Sequence, residues 1–187
     1  HNKALIGIIV CALLFLLAQL SLSNMNNYIY PNYFGNVSAM SLANLAGMVV
    51  ILVLSTFIVK LSAKVGKKEL SVIGSIISAA AFLILFFIHT DNVWVWIVLV
   101  LISSVGTAMF NMVIWAMITD VIDDSEVRTG VRQDGTIYSV YSFARKLGQA
   151  CSSGISGVLL SIIGYTAATA HDPKVVDGIY NVTCLVP

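Results

Sequence analysis

Two adjacent cations, Arg145 and Lys146, interrupt an apolar and aromatic stretch from Tyr138 to Tyr165, and no acidic residue follows Asp134 within it. Charges that near to hydrocarbon are costly and usually face a water-filled pathway, so the pair points to solute or ion movement. At 3.6 residues per turn, Tyr138, Tyr141 or Ser142, Arg145 and Gln149 share one helix face. Ser142, Lys146 and Gln149 form an overlapping face about 100° round from Arg145. A buried lysine loses its proton unless an acid or water stabilises it. The surrounding helices offer no acid at mid-depth, so the partner of Lys146 is expected on another part of the protein.

Two more segments carry polar stripes at spacings of three to four. Gln19, Ser23, Asn26 or Asn27 and Tyr30 form one, and Ser104, Thr107, Asn111, Trp115 and Thr119, with Asp120 at its mouth, form the other. Asn and Gln both donate and accept hydrogen bonds, and Trp115 or Tyr141 offers a flat face to a ring. Such a lining suits a neutral, polyhydroxylated ligand. Any single Ser, Thr or Asn ordinarily bonds to a neighbouring helix; three coincident stripes favour a cavity. Snorkelling is the alternative for the cations, if the span begins at Arg145. The apolar and aromatic run 137–143 moves the membrane boundary a turn or two earlier, so one cation can snorkel while the other points inward.

The elements that must hold these residues are membrane helices. Hydrophobic residues make up 58% of the 187, charged residues only 10%, and the net charge is +1, which together describe a chain whose solvent is lipid. Runs long enough to cross hydrocarbon occur at about 4–28, 42–61, 70–89, 93–119 and 138–165, and a sixth begins near Asp177, at about 178. That sixth run stops after one or two turns, which predicts a chain that continues beyond Pro187. The first run lacks a small-residue cleavage site and reads as a span, not a signal peptide.

Lys3, Lys60, Lys64, Lys67, Lys68, Arg128, Arg132, Arg145 and Lys146 gather at one set of helix ends, with Lys174 at the other. Basic residues accumulate on the cytoplasmic side, so the N-terminus is expected inside and the loops at 29–41, 90–92 and 166–177 outside. Lys64 to Lys68 reads as a tight turn, reversed at Gly66. The second and third runs, apolar through their centres, are expected to face lipid or only to pack. Ala150, Ser153, Gly154 and Gly157 are small enough for a close helix contact. Cys11, Cys151 and Cys184 sit in apolar runs as small hydrophobes, not as a disulfide or zinc framework. The carboxylates of the 120–136 segment have no histidine nearby and alternate with Arg128 and Arg132, which reads as an ion-pair network. No catalytic or metal site is expected, and no nucleic-acid partner.

Four strings carry a family resemblance: WAMITDVIDDSE from Trp115, RTGVR from Arg128, GTIYSVYSFARKLGQ from Gly135 and IGY from Ile163. In order, they resemble the C-terminal half of the glycoside-pentoside-hexuronide:cation symporters, the group containing melibiose permease; Tyr28 to Gly35 and Lys64 to Lys68 resemble it too. The resemblance implies an all-α membrane protein of the major facilitator superfamily, with two six-helix halves, of which this chain would supply helices seven to eleven and the start of twelve. It implies transport of a sugar or glycoside with Na⁺ or H⁺ by alternating access, no cofactor, and an N-terminal half bearing most ligands of the coupling ion. A bacterial inner membrane is the implied location. Lys146 matches a lysine near the cation-site acids, and Asn111, Trp115, Ser142 and Arg145 match sugar-cavity positions; Asn26, Asn27, Tyr141 and Gln149 join them from the stripes. Asp120, Asp123, Glu126, Arg128 and Arg132 match an inner-gate loop. Asp124 departs from the pattern, standing where an aromatic residue is common. A lysolipid transporter of the same fold would show a continuous apolar cleft, and a membrane sensor would carry a soluble signalling segment.

Overall fold

The computed structural model describes residues 3–131 and 134–186. Its elements are α1 (Lys3–Tyr28), a π-helical turn (Ile29–Tyr33), α2 (Val37–Val65), α3 (Lys67–Ile88), α4 (Val93–Thr129), α5 (Asp134–Ile162) and α6 (Pro173–Leu185), with no strand among the described residues. The π turn sits at Pro31, which has no N–H and cannot continue an i→i−4 ladder. Phe34 instead donates to the Ile29 carbonyl, five residues back, at 3.2 Å. The segment from 29 expected as loop is therefore mostly helical, with only 34–36 free between α1 and α2.

Short polar caps set the other boundaries. Asn36, Asn92 and Asp172 accept backbone N–H bonds from Ala39, Trp94 and Lys174, so α2 and α6 start about five residues earlier than hydropathy suggests. Gly66 has φ +103° at the α2–α3 reversal and Gly130 has φ +69° at the end of α4, conformations that favour glycine. The fourth helix runs ten residues past the expected limit at 119. Its last three turns carry Asp120, Asp123, Asp124, Glu126 and Arg128, charges that read as loop in the sequence, yet an α-helix satisfies its own backbone hydrogen bonds whatever surrounds it.

Four helical stretches are long and apolar enough to cross a membrane: Ile6–Tyr33, Val37–Val65, Lys67–Ile88 and Val93–Val127. α5, although 29 residues long, falls outside that set. Ser139, Ser142, Arg145, Lys146, Gln149, Ser152, Ser153 and Ser156 dilute its apolar surface.

α4 is the pillar of the bundle, packed by α3 on one side and α2 on another. Gly74 and Gly106 let α3 and α4 touch backbone to backbone: a Cβ built on Gly74 would lie 2.6 Å from the Gly106 carbonyl oxygen. Ser78 and Ser103 hydroxyls bond 2.6 Å apart one turn away. Small residues at such contacts are what membrane helices need, because lipid gives no hydrophobic drive to associate. The expectation for α3 is thus met as packing. α2 has only Ala39, Ala43 and Ile58 buried and offers the rest to its surroundings.

α1 packs mainly on α5, through Gly148 against Leu13 and Leu16, and through a Ser21–Ser152 hydroxyl pair at 3.5 Å. Ala150, Ser153, Gly154 and Gly157 are not the contact surface: all four are exposed, and Cβ atoms on the two glycines would meet nothing within 4 Å. The contact runs along Tyr141, Ala144, Gly148, Ser152 and Ser156 instead, one or two positions round the helix.

Apolar cores lie at both ends. Ile29, Tyr30, Trp96, Ile179 and Tyr180 centre the one beside α6, while Phe110, Ile114, Ile118, Ile122, Ile137 and Tyr141 form the one toward the lysine-rich end. The Tyr180 hydroxyl donates to the Leu85 carbonyl at 2.8 Å and accepts from the Thr90 N–H at 3.2 Å, fastening α6 to the end of α3.

Candidate functional site

Spacing of three to four places Asn111 and Trp115 on one face of α4 and Tyr141 and Arg145 on one face of α5. The fold turns those faces toward each other across α1. All four line a single narrow crevice of about 20 Å³ with Ala12, Phe15, Leu16, Phe110 and Ile114. The Arg145 guanidinium carbon lies over the Trp115 ring, 5.2 Å from its centroid, and 6.0 Å from that of Tyr141. Trp115 and Tyr141 meet edge to face at 5.3 Å. Among the described residues Arg145 has this aromatic seat and no ion pair. A guanidinium so seated keeps hydrogen-bond donors for another acceptor, because ring faces attract the charge without occupying its N–H groups.

The amide of Asn111 donates to Gln19 Oε1 at 3.3 Å, tying α4 to α1 beside the crevice. One face of Trp115 is thus taken by Arg145, while the residue stays 44% exposed. Tyr141 is buried and belongs to the wall. The arrangement is a wall bearing one cation, one amide pair and one indole, open on the side of Trp115. It is too small to enclose a sugar, since ligand pockets occupy roughly 300–1,000 Å³.

Ser142, Lys146 and Gln149 stand outside the crevice, exposed on the neighbouring stripe of α5. Phe143, Leu147, Val158 and Ile162 form the apolar stripe beyond. α5 therefore has a face on α1, a polar open face and an apolar open face.

The stripe on α1 does not hold as one face. Gln19 reaches Asn111, Ser23 is exposed, and Tyr30 is buried in the core with Trp96. Asn26 is half-buried, with Oδ1 shielded and unpartnered. Asn27 lines a different recess with Asn24, Tyr28, Ser153, Ser156, Gly157 and Leu160. Asn24, outside the stripe expected from the sequence, donates to the Ser156 hydroxyl at 3.3 Å. Its signal was a second stripe of equal spacing, Ser21, Asn24 and Tyr28. On α4, Ser104, Thr107 and Thr119 hydroxyls bond back to carbonyls three or four residues earlier, which satisfies them within the helix.

The expected gate residues that the structure describes do not form a loop. Asp120, Asp123, Glu126 and Arg128 all lie on the last turns of α4, which ends at Thr129. Asp120 pairs with Lys67, the first residue of α3, at 2.6 Å. The turn residue Lys67 thus has a partner that its position in the sequence does not announce. Arg132 and the side chain of Arg128 lie outside the described residues. At the opposite end, His89 approaches Asp177 at 2.7 Å and the Tyr33 hydroxyl donates to Asp91 at 2.9 Å.

Comparison with known proteins places these helices in a family. Residues 1–187 match the family described as MFS/sugar transport protein. The chain is 33% identical over its whole length to a Bacillus subtilis protein named uncharacterized symporter YjmB, covering 40% of that protein. It is 35% identical over 67% of its length to the Escherichia coli glucuronide carrier protein homolog, and 33% identical over 76% to the Bacillus subtilis uncharacterized symporter YnaJ. The matched stretches span 27% and 31% of those two relatives, so the chain corresponds to less than half the length of each. With a family match over every residue and an all-helical bundle beneath it, the chain belongs to the MFS/sugar transport family, as an integral membrane, C-terminal six-helix half of a major facilitator superfamily transporter.

Proposed function

We propose that the chain forms one wall of a secondary active transporter that moves a sugar or glycoside together with Na⁺ or H⁺. The observation that carries this is the seating of Arg145 over Trp115 beside the Asn111–Gln19 pair, on a wall open to one side. Alternating access supplies the other wall from a second helical half rocking around a mid-membrane site. Asn111, Trp115, Arg145, Ser142 and Gln149 then bind substrate from this side, and Lys146, exposed next to them, answers the acids of the coupling-ion site on the other half. The bacterial inner membrane, with the lysine-rich helix ends in the cytoplasm, is the setting that fits.

Arg145 favours an acidic solute within that class. A planar guanidinium binds a carboxylate or sulfonate through two parallel bonds, and its aromatic seat leaves the fork available. One relative is named as a glucuronide carrier homolog and two as symporters, which supports both halves of the reading.

The test of coupled transport is Lys146→Ala in the full-length protein, reconstituted in vesicles under an imposed Na⁺ or H⁺ gradient. Wild type should accumulate methyl β-D-glucuronide. The variant should insert normally and lose accumulation while still equilibrating the solute. Undiminished uphill uptake by the variant overturns the role of Lys146.

A further inference from the structure

The polar open face of α5 continues past Gln149. Ser153 and Gly157 follow it at successive spacings of four, and there α1 turns from leucine to amide, with Leu20 giving way to Asn24 and Asn27. Between the two helices lies a recess of about 240 Å³, more than ten times the crevice at Arg145. Its wall offers the amides of Asn24 and Asn27, the hydroxyls of Ser153 and Ser156, and the ring of Tyr28. Tyr165 braces that ring edge-on at 5.0 Å. Among the described residues, no charged side chain lines it.

The bonds the wall makes for itself are long: Asn24 to Ser156 at 3.3 Å and Asn27 to the Ser23 carbonyl at 3.4 Å. Exchanging such bonds for ligand hydroxyls costs little. Along the helix, Ser153 stands about 12 Å and Gly157 about 18 Å from Arg145, at 1.5 Å per residue. A single sugar ring held at Arg145 does not reach that far. Resting on the transporter reading above, we propose that this recess is a second subsite, holding the hydroxyl groups of a sugar ring, neutral or acidic, on its passage between the α6 end of the bundle and Arg145. A recess serving only helix contact would hold no ligand and would tolerate filling.

Glycine makes the proposal testable. Gly157 lines the recess and a Cβ on it meets nothing within 4 Å, so Gly157→Leu adds bulk at the recess without displacing backbone. Gly154 is equally open but does not line the recess, so Gly154→Leu controls for the gain of helix propensity. Asn27→Ala removes an exposed amide and is independent of any packing change. Each variant of the full-length transporter is assayed in vesicles for uptake of methyl β-D-glucoside and methyl β-D-glucuronide. Asn27→Ala should raise KM by about fivefold, the loss of about one hydrogen bond, and Gly157→Leu, which obstructs the recess by bulk, should raise it by at least as much, for both probes. Gly154→Leu should match wild type. Unchanged KM in both recess variants, or an equal rise in the Gly154 control, overturns the subsite while leaving the transporter reading in place. Absence of uptake of either probe by wild type overturns that reading, and the subsite with it.

Discussion

The α3–α4 and α1–α5 interfaces solve the same problem by opposite means. α3 and α4 meet through glycine on glycine, close enough that a single methyl group collides with backbone. α1 and α5 meet through one glycine in ordinary contact and two long hydroxyl or amide bonds, and the seam opens into a polar recess. The first interface spends its polar capacity inside itself, as in the Ser78–Ser103 bond. The second leaves Asn27, Ser142, Lys146, Gln149 and Ser153 uncovered. Rigidity and chemistry are thus divided between two helix pairs, with α4 common to both because it carries Gly106 toward α3 and Asn111 and Trp115 toward α1 and α5.

The division is broken most severely at the pillar. Gly106→Leu drives a side chain into the Gly74 carbonyl and should destabilise the protein by about 1–3 kcal/mol or more through overpacking. A lowered melting temperature and poor recovery of monodisperse full-length protein from detergent would register it. Retention of the wild-type melting temperature would show that α3 and α4 can separate at no cost.

A smaller effect is expected where the pillar meets the seam. Trp115→Ala removes the seat of the Arg145 guanidinium, an interaction of ~0.5–2 kcal/mol, so glucuronide affinity should fall by up to about thirtyfold with little change in melting temperature. Isothermal titration on the purified transporter separates the two quantities. Equal affinity in the variant would mean that the ring neither positions Arg145 nor touches solute.

The seam itself should be the most forgiving. Ser152→Ala deletes the 3.5 Å bond to Ser21, and interhelical bonds in membranes average about 0.6 kcal/mol, so thermal stability should shift barely beyond error. A loss as large as that of Gly106→Leu would erase the contrast between the interfaces.

Much of this contrast was legible in the residues, but unevenly. Long apolar runs located α1 to α4, and the 3–4 spacing of Asn111 with Trp115 and of Tyr141 with Arg145 placed four residues of the crevice on the correct faces. The end of α4 was not legible, because Asp120 to Thr129 is too charged for a span and reads as loop, although a helix emerging into water keeps its own hydrogen bonds. The α1 stripe failed for a different reason. Gln19–Ser23–Asn26 and Ser21–Asn24–Tyr28 satisfy the same periodicity, and only the position of α5 decides which faces a neighbour. Small residues misled in the same way: Gly154 and Gly157 look like contact glycines, yet Gly148 holds the contact.

The central claim, that the wall around Arg145 recognises the solute, is tested most directly by Arg145→Gln, which keeps polarity and approximate length but removes the charge. Titration of the full-length transporter with methyl β-D-glucuronide and methyl β-D-glucoside compares an acidic ring with a neutral one of the same shape. A bond to a charged group contributes ~1.5–3 kcal/mol, so glucuronide affinity should fall by about tenfold to a hundredfold while glucoside affinity holds. Unchanged glucuronide binding, or an equal loss for both sugars, would contradict the account.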